Sequence, residues 1–242
     1  DEDYSFEDVC CVRKDGIYYL FCNRWNWNAP KDPSQSGVFL AVSKDLLHWE
    51  PKGLVFPNAK EIHRNACVVQ NITNDAVKVN GRYLMYLNNG LVAYSDDLLH
   101  WESERIGVNW PGGEGCLAVS GLPGHESDIL LFTGGHHTGH FYAIGEVLFA
   151  GENPKKPVQW LNFPVLYCED SIPWECGRSP DPPHPVVSRW RDTVFFTGMT
   201  YFHGKIYLYY AGSEYYTCLA TADLPTAEEV CRAPIPKQTE NY

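Results

Sequence analysis

The hexapeptide Asp45-Leu46-Leu47-His48-Trp49-Glu50 decides the fold of this chain, because it recurs letter for letter as Asp97-Leu98-Leu99-His100-Trp101-Glu102. A repeat of about 50 residues is typical of the blades of a β-propeller, in which each repeat forms one small sheet. A β-sandwich in which two segments resemble each other by chance is the alternative. We therefore predict an all-β chain built from repeated blades.

The residues around each copy define the blade. Short alternating strands at 37–43 and 90–95 precede the hexapeptide, and the dipeptides Asp15-Gly16 and Asn80-Gly81 indicate hairpin turns that lead into aromatic-rich strands. With the strand that begins at each Trp, this order predicts a four-stranded antiparallel blade. Weaker copies follow further along the chain. We expect one propeller domain over 1–242 with four blades, at 6–57, 62–108, 113–166 and 186–236.

Composition excludes several classes of function. The formal net charge of −11 argues against nucleic acid as a partner, and no apolar run is long enough to cross a membrane. No nucleotide, flavin or haem fingerprint is present, so we expect no cofactor. The sequence starts at Asp1 without a signal segment, which suggests a processed N-terminus. Oligomeric state stays open.

Cysteine usage and one sequon bear on location. The nine Cys residues form no CxxC pair of a zinc site, and they leave disulfides open. Asn71-Ile72-Thr73 is a glycosylation sequon. We expect a secreted or extracytoplasmic protein, with a cytoplasmic location as the alternative.

Four segments in the same order and at similar spacing resemble glycoside hydrolase family 130, the β-mannoside phosphorylases and mannosidases with five-bladed propellers. They are 6–8, 63–66, 135–137 with 174–177, and 193–198 with 207–214. The resemblance covers nearly the whole chain and implies a glycoside or oligosaccharide substrate. The family's usual first blade has no counterpart, so either four blades close the propeller or an earlier stretch is not shown.

The resemblance also implies roles for individual residues. Asp8 would be the proton donor, and Arg64 and Asn65 would contact substrate oxygens or an anion. Glu214, which replaces an Asp of the family, would bind a sugar hydroxyl. Of the adjacent pair His136 and His137, we expect His137 to hydrogen-bond the sugar. Each of these has a purely structural alternative, such as a turn cap or a strand-entry ion pair.

The departures from the family pattern favour water over phosphate as the acceptor. Val9-Cys10 replaces the "P-R" expected after Asp8, and Glu114 lies where a basic residue is expected. A phosphate dianion in a partly buried site needs several cationic donors, and Arg64 is the one clearly retained. We therefore expect hydrolysis, with phosphorolysis as the alternative.

Glycoside cleavage with inversion needs a second carboxylate that activates water. Glu175 is the first candidate for this base, because its aromatic and proline-rich segment could raise its pKa. Trp25, in the alternating polar and aromatic stretch 23–28, and Tyr210, just before Glu214, are candidate sugar contacts. His136 and His137 point to opposite faces of a strand, so no metal site is expected.

Two other functions compete with this interpretation. A relative of the family 43 arabinofuranosidases and xylosidases would use Asp8 as base, Asp75 as pKa modulator and Glu175 as acid. A non-catalytic sugar-binding propeller is the alternative from another class, since several expected cations are missing. A pocket with two suitably spaced acids would favour an enzyme, and equivalent shallow sites on each blade would favour a lectin.

Overall fold

The computed structural model describes residues 3–106, 113–137, 140–177, 192–224 and 226. The strands are β1 Tyr4–Lys14, β2 Ile17–Asn26, β3 Gly37–Ser43, β4 Trp49–Leu54, β5 Cys67–Val68, β6 Lys78–Val79, β7 Arg82–Tyr86, β8 Leu91–Ser95, β9 Glu102–Arg105, β10 Glu114–Leu122, β11 His125–His137, β12 His140–Phe149, β13 Pro157–Trp160, β14 Val194–Phe202, β15 Lys205–Gly212 and β16 Tyr216–Asp223. A short 3-10 turn spans Asn88–Gly90. The prediction of an all-β chain is confirmed.

The strands form four antiparallel sheets. The first has the order β1-β2-β3-β4, the second β5-β7-β8-β9 with β6 beside β7, the third β10-β11-β12-β13, and the fourth β14-β15-β16. The first strands of the sheets, β1, β5, β10 and β14, contact one another around the centre. This is the predicted β-propeller with four evident blades. The fifth blade that the family resemblance implies has no counterpart among the described residues.

The hairpin turns form because their residues accept a left-handed backbone. Asp15 and Gly16 have φ of 49° and 76°, and Asn80 and Gly81 have φ of 51° and 87°. Two consecutive positive φ values belong to a type I′ turn, whose twist matches that of the flanking strands. The Asp/Asn-Gly dipeptides therefore set the register of the first two blades.

The repeated hexapeptide is a capped turn that ends one strand and begins the next. Asp45 Oδ1 accepts backbone hydrogen bonds from Leu47 at 2.9 Å and His48 at 2.8 Å, and Trp49 Nε1 donates to the carbonyl of Leu46 at 3.1 Å. The second copy repeats these bonds at Asp97 and Trp101. These donors hold the carboxylate of Asp45 in its ionised form and keep its pKa well below the usual range.

The core lies between neighbouring blades. Each of three hydrophobic clusters joins the facing sides of two consecutive sheets. Trp101 of the repeat is 8% exposed and packs edge-on against Phe21 of the first blade, with ring centroids 5.8 Å apart. Because apolar side chains on these faces are removed from water only when blades pack together, this packing holds consecutive blades against one another. No helix among the described residues is long and apolar enough to span a membrane.

Candidate active site

A β-bulge places the side chain of Asp8. The register between β1 and β2 shifts between Glu7 and Cys10, and Asp8 has a φ of 52°. A bulge inserts an extra residue and re-aims a side chain that would otherwise follow the alternation of the strand. Asp8 is thereby turned out of the regular alternation of β1, in the middle of the strand.

Two buried amides hold Asp8. Asn23 Nδ2 donates to Asp8 Oδ2 at 2.6 Å, and Asn65 Nδ2 donates to the same oxygen at 3.5 Å. The two amides are themselves linked, because the backbone N–H of Asn65 donates to Asn23 Oδ1 at 2.9 Å. Both Asn residues are almost fully buried, so their orientation is fixed by packing as well as by these bonds. The predicted pair Asp8 and Asn65 is thus brought together.

The surroundings raise the pKa of Asp8 to about 7. Burial is the largest cause, since it disfavours the charged form, and the nearby carboxylates of Glu7, Glu114 and Glu214 add to it; Arg64 lowers the pKa. A carboxyl group with a pKa near 7 is partly protonated at neutral pH. Asp8 can therefore supply a proton under conditions in which an ordinary Asp cannot.

Arg64 is paired with a carboxylate of the third blade. Its Nη2 donates to Glu114 Oε1 at 2.5 Å, and the hydroxyl of Tyr142 donates to the other oxygen of Glu114. The backbone N–H of Arg64 donates to Asn88 Oδ1 at 3.0 Å, which fixes where this residue enters the site. The positive charge of Arg64 is therefore compensated within the protein.

Glu214 lies at the tip of the β15–β16 hairpin and is exposed to solvent. Ser213 and Glu214 have φ of 50° and 58°, a conformation that non-glycine residues seldom adopt outside tight turns. Partial burial at the rim of the site, followed by the charges of Glu7 and Glu114, raises the pKa of Glu214. Because Glu214 also raises the pKa of Asp8, the two carboxyl groups share one electrostatic environment.

Glu175 occupies a different environment. It is 1% exposed, and its Oε1 and Oε2 accept hydrogen bonds from the Tyr210 hydroxyl at 2.5 Å and from the backbone N–H of Glu169 at 3.1 Å. Burial, together with this bond, raises the pKa of the Tyr210 hydroxyl above its usual range. The structure thus brings the predicted residues Glu175 and Tyr210 together, in the packed layer behind the β15–β16 hairpin.

Trp25 and His137 were the remaining candidates. The indole Nε1 of Trp25 donates to the carboxylate of Glu7. The indole ring therefore lies next to one of the carboxylates that raise the pKa of Asp8. The side chain of His137 lies outside the described part of the structure. Its neighbour His136 is exposed, with its ring centroid 6.4 Å from that of Tyr142. Asp75, the modulator in the family 43 alternative, pairs with Arg13 at 2.7 Å, near the C-terminal end of β1 and away from Asp8.

Three residues of the site lie outside the predicted set of site residues: Asn23, Glu114 and Tyr142. Glu114 was noted as a departure from the family pattern, and Asn23 begins the polar stretch 23–28. One signal could have found Glu114. It lies at the start of β10, an inner strand, just as Asn65 lies two residues before the inner strand β5. Among the described residues, no group of three or more His, Cys, Asp or Glu side chains is arranged to hold a metal ion.

No family model matches the chain. It is similar to the 1,2-β-oligomannan phosphorylase of Thermoanaerobacter sp. (strain X514), with 28% identity over 87% of this chain. The chain spans 65% of the length of that relative.

Solved structures give the same fold. A structure from the GH130 family of mannoside phosphorylases, described for glycoside hydrolases that target β-1,2-mannosidic linkages in Candida mannan, superposes with a TM-score of 0.71 at 21% identity, covering 90% of this chain and 65% of that one. The β-1,2-mannobiose phosphorylase of Listeria innocua, in complex with β-1,2-mannobiose, gives 0.67 at 18% identity, covering 94% and 60%. At these identities the structures establish the propeller fold alone. Taken together, the comparisons confirm the resemblance to glycoside hydrolase family 130.

Proposed function

We propose that this chain is a glycoside hydrolase that cleaves β-mannosides, with Asp8 as the proton donor. The observation that carries the proposal is the raised pKa of Asp8, about 7, on a carboxyl group fixed by Asn23 and Asn65. A general acid works best when its pKa lies near the working pH. The names of the 28% identical relative and of the two solved structures described above concern mannosides and support the substrate class.

In the proposed reaction, water adds to the anomeric carbon as the bond to the leaving oxygen breaks. Asp8 supplies a proton to the leaving oxygen, either directly or through a sugar hydroxyl. A second carboxylate accepts a proton from the attacking water, so that the sugar leaves as a free hemiacetal with inverted configuration. We assign this second role to Glu214, which shares the electrostatic environment of Asp8 and is exposed to solvent. Its raised pKa makes it a stronger base than an ordinary Glu once it is ionised.

The charge of the site supports water as the acceptor. Three carboxylates raise the pKa of Asp8, whereas the one cation that lowers it, Arg64, is already paired with Glu114. A phosphate dianion entering this environment would meet net negative charge among the described residues. Phosphorolysis is the second candidate, because the 28% identical relative is a phosphorylase.

The test is turnover of β-1,2-mannobiose, longer β-1,2-oligomannans and aryl β-mannosides, with and without inorganic phosphate. We expect free mannose with a rate independent of phosphate, and an α-anomer as the first product by NMR. Asp8→Asn should lower kcat by about 10²–10⁴, the usual contribution of a general acid. Asp96→Asn, at an exposed site on the second blade, is the matched control.

Each other outcome has a definite meaning. Formation of mannose 1-phosphate that requires phosphate would make the chain a phosphorylase. Sugar binding without turnover on any substrate would make it a binding propeller. Full activity of Asp8→Asn would remove Asp8 from the mechanism.

A further inference from the structure

The carboxylate of Glu175 is bonded on both sides by the protein. Tyr210 donates to one oxygen at 2.5 Å and the backbone N–H of Glu169 donates to the other at 3.1 Å, in a position that is 1% exposed. A base that activates water must reach that water within about 3 Å, and at 1% exposure the carboxylate of Glu175 is closed off from solvent. The position of Glu175 is therefore that of a structural support.

The main chain of the same residue holds the β15–β16 hairpin. Ser213 Oγ donates to the carbonyl oxygen of Glu175 at 2.5 Å, and Ser213 is fully buried. Next to it, Gly212 approaches so closely that a Cβ there would lie 2.9 Å from the carbonyl oxygen of Trp174 and 3.4 Å from Cα of Glu175. Segment 172–177 and the hairpin thus touch through backbone as well as side chains.

The hairpin needs this support because its conformation is unfavourable. Ser213 and Glu214 both have positive φ, and strained residues persist only where their surroundings fix them. Tyr210 lies on β15 immediately before the turn, so its bond to Glu175 anchors the strand that leads into Glu214. Without the anchor, the turn could relax and the carboxylate of Glu214 would move relative to Asp8.

We infer that Glu175 is a positioning residue that acts through Tyr210 and Ser213 to hold Glu214 within the electrostatic environment that it shares with Asp8. The inference rests on the proposed function for the role of Glu214, and it replaces the expectation that Glu175 itself is the base. A conservative replacement distinguishes a positioning residue from a base. Gln at position 175 fills the same space and can accept from the Glu169 N–H while donating to the Tyr210 oxygen, so it keeps the support but cannot act as a base.

The experiment compares Glu175→Gln, Glu175→Ala and Tyr210→Phe, with Tyr209→Phe as the matched control. Tyr209 is the adjacent residue on β15, with its side chain on the opposite face of the strand and 40% exposed. We expect Glu175→Gln to stay within about 5-fold of wild-type kcat, Tyr210→Phe to lose about 10-fold and Glu175→Ala about 50-fold, since positioning losses scale with the contacts removed. The KM should change less than kcat in each case.

Hydrogen–deuterium exchange of a peptide that covers 211–216 supplies a readout that needs no turnover. Exchange should rise in Glu175→Ala and Tyr210→Phe and stay at the wild-type level in Glu175→Gln and Tyr209→Phe. Far-UV circular dichroism checks that each variant is folded. If Glu175→Ala does not fold, the Gln and Phe variants still decide the question.

The inference is overturned if Glu175→Gln is as inactive as Glu175→Ala while exchange in 211–216 stays normal, because only a chemical role would produce that pattern. Unchanged exchange in Tyr210→Phe would also overturn it. Failure of the proposed function has a different signature, which is no turnover by the wild type. In that case the exchange measurements still test whether Glu175 holds the hairpin.

Discussion

Asn23 holds Asp8 by a hydrogen bond of 2.6 Å from its side-chain nitrogen to Asp8 Oδ2, and Asn65 reaches the same oxygen. Since both amides donate to Oδ2, a proton on Asp8 resides on Oδ1. An Asn in place of Asp8 can present its oxygen to the same two donors. Asp8→Asn therefore removes the ionisable group while keeping this hydrogen-bond pattern, which makes it the natural probe of the site.

The first prediction concerns stability against pH. The pKa of Asp8 rises from 3.8 in the unfolded chain to about 7 in the fold, so the folded state loses stability as pH increases from about 4 to 7 and stays at the lower level above that. At about 1.4 kcal/mol per pKa unit, the loss is on the order of 4–5 kcal/mol.

Asp8→Asn should be free of this loss. Thermal unfolding measures this. The Tm of Asp8→Asn relative to that of the wild type should be several degrees higher at pH 8 than at pH 4.5. Asp96→Asn at the surface should keep the same difference from wild type at both pH values. A gain for Asp8→Asn that shrinks towards pH 8 would contradict the raised pKa.

The second prediction concerns the pH dependence of turnover. If Asp8 acts as an acid, only its protonated form is active, so kcat/KM should fall above a pH of about 7. Glu7→Gln removes one of the charges that raise the pKa of Asp8, and ionisation becomes easier. The alkaline limb should then move to lower pH.

Glu50→Gln on the outer strand of the same blade is the control for this shift, and it should leave the limb in place. The Gln introduced at position 7 can still accept the hydrogen bond from Trp25. A limb that moves to higher pH in Glu7→Gln would show that the titrating group is not Asp8.

The third prediction concerns phosphate. Glu114 compensates the charge of Arg64, so Glu114→Gln should leave the guanidinium available to an anion. We expect phosphate at millimolar concentration, at constant ionic strength, to change the rate of this variant at least about 3-fold and the wild type hardly at all, as measured by initial rates. Glu102→Gln, which removes one of the exposed partners of Arg82, should respond like the wild type. Equal phosphate responses in all three proteins would show that Arg64 does not bind phosphate in Glu114→Gln.

The fourth prediction tests packing of the third blade. A Cβ on Gly151 would lie 1.8 Å from the carbonyl oxygen of Ser127, whereas nothing lies within 4 Å of a Cβ on Gly198. Gly151→Ala should therefore destabilise the protein by about 1–3 kcal/mol, the usual cost of overpacking. Gly198→Ala should be close to neutral. Urea unfolding of both variants measures the difference, and equal stabilities would contradict the close approach of 127 and 151.

Much of the fold could be predicted from the sequence because it depends on local chemistry. The repeated hexapeptide is a turn in which Asp45 and Asp97 bond to backbone groups two and three residues away. The Asp15-Gly16 dipeptide closes a hairpin through its own backbone conformation. Such contacts depend on residues that are adjacent in the sequence. The strand order and the blade period can therefore be predicted from the sequence.

The candidate site could be predicted only in part. Motifs pointed to Asp8, Arg64, Asn65 and Glu214, and the structure groups them. The partners that set their chemistry come from elsewhere in the chain: Glu114 is on the third blade and Asn23 is on the neighbouring strand β2. No periodicity links these positions, because inner strands of different blades meet only once the blades have packed together.

The role of Glu175 also could not be predicted from the sequence. Its surroundings in the sequence are aromatic and rich in proline, which is compatible with a pocket for a base and equally with a buried support. The sequence by itself determined the blades, their turns and the identity of the acidic residues. Tertiary structure alone decided which carboxylates share one field and which is enclosed by Tyr210 and Glu169, because burial and through-space charge depend on distances that the chain order does not contain.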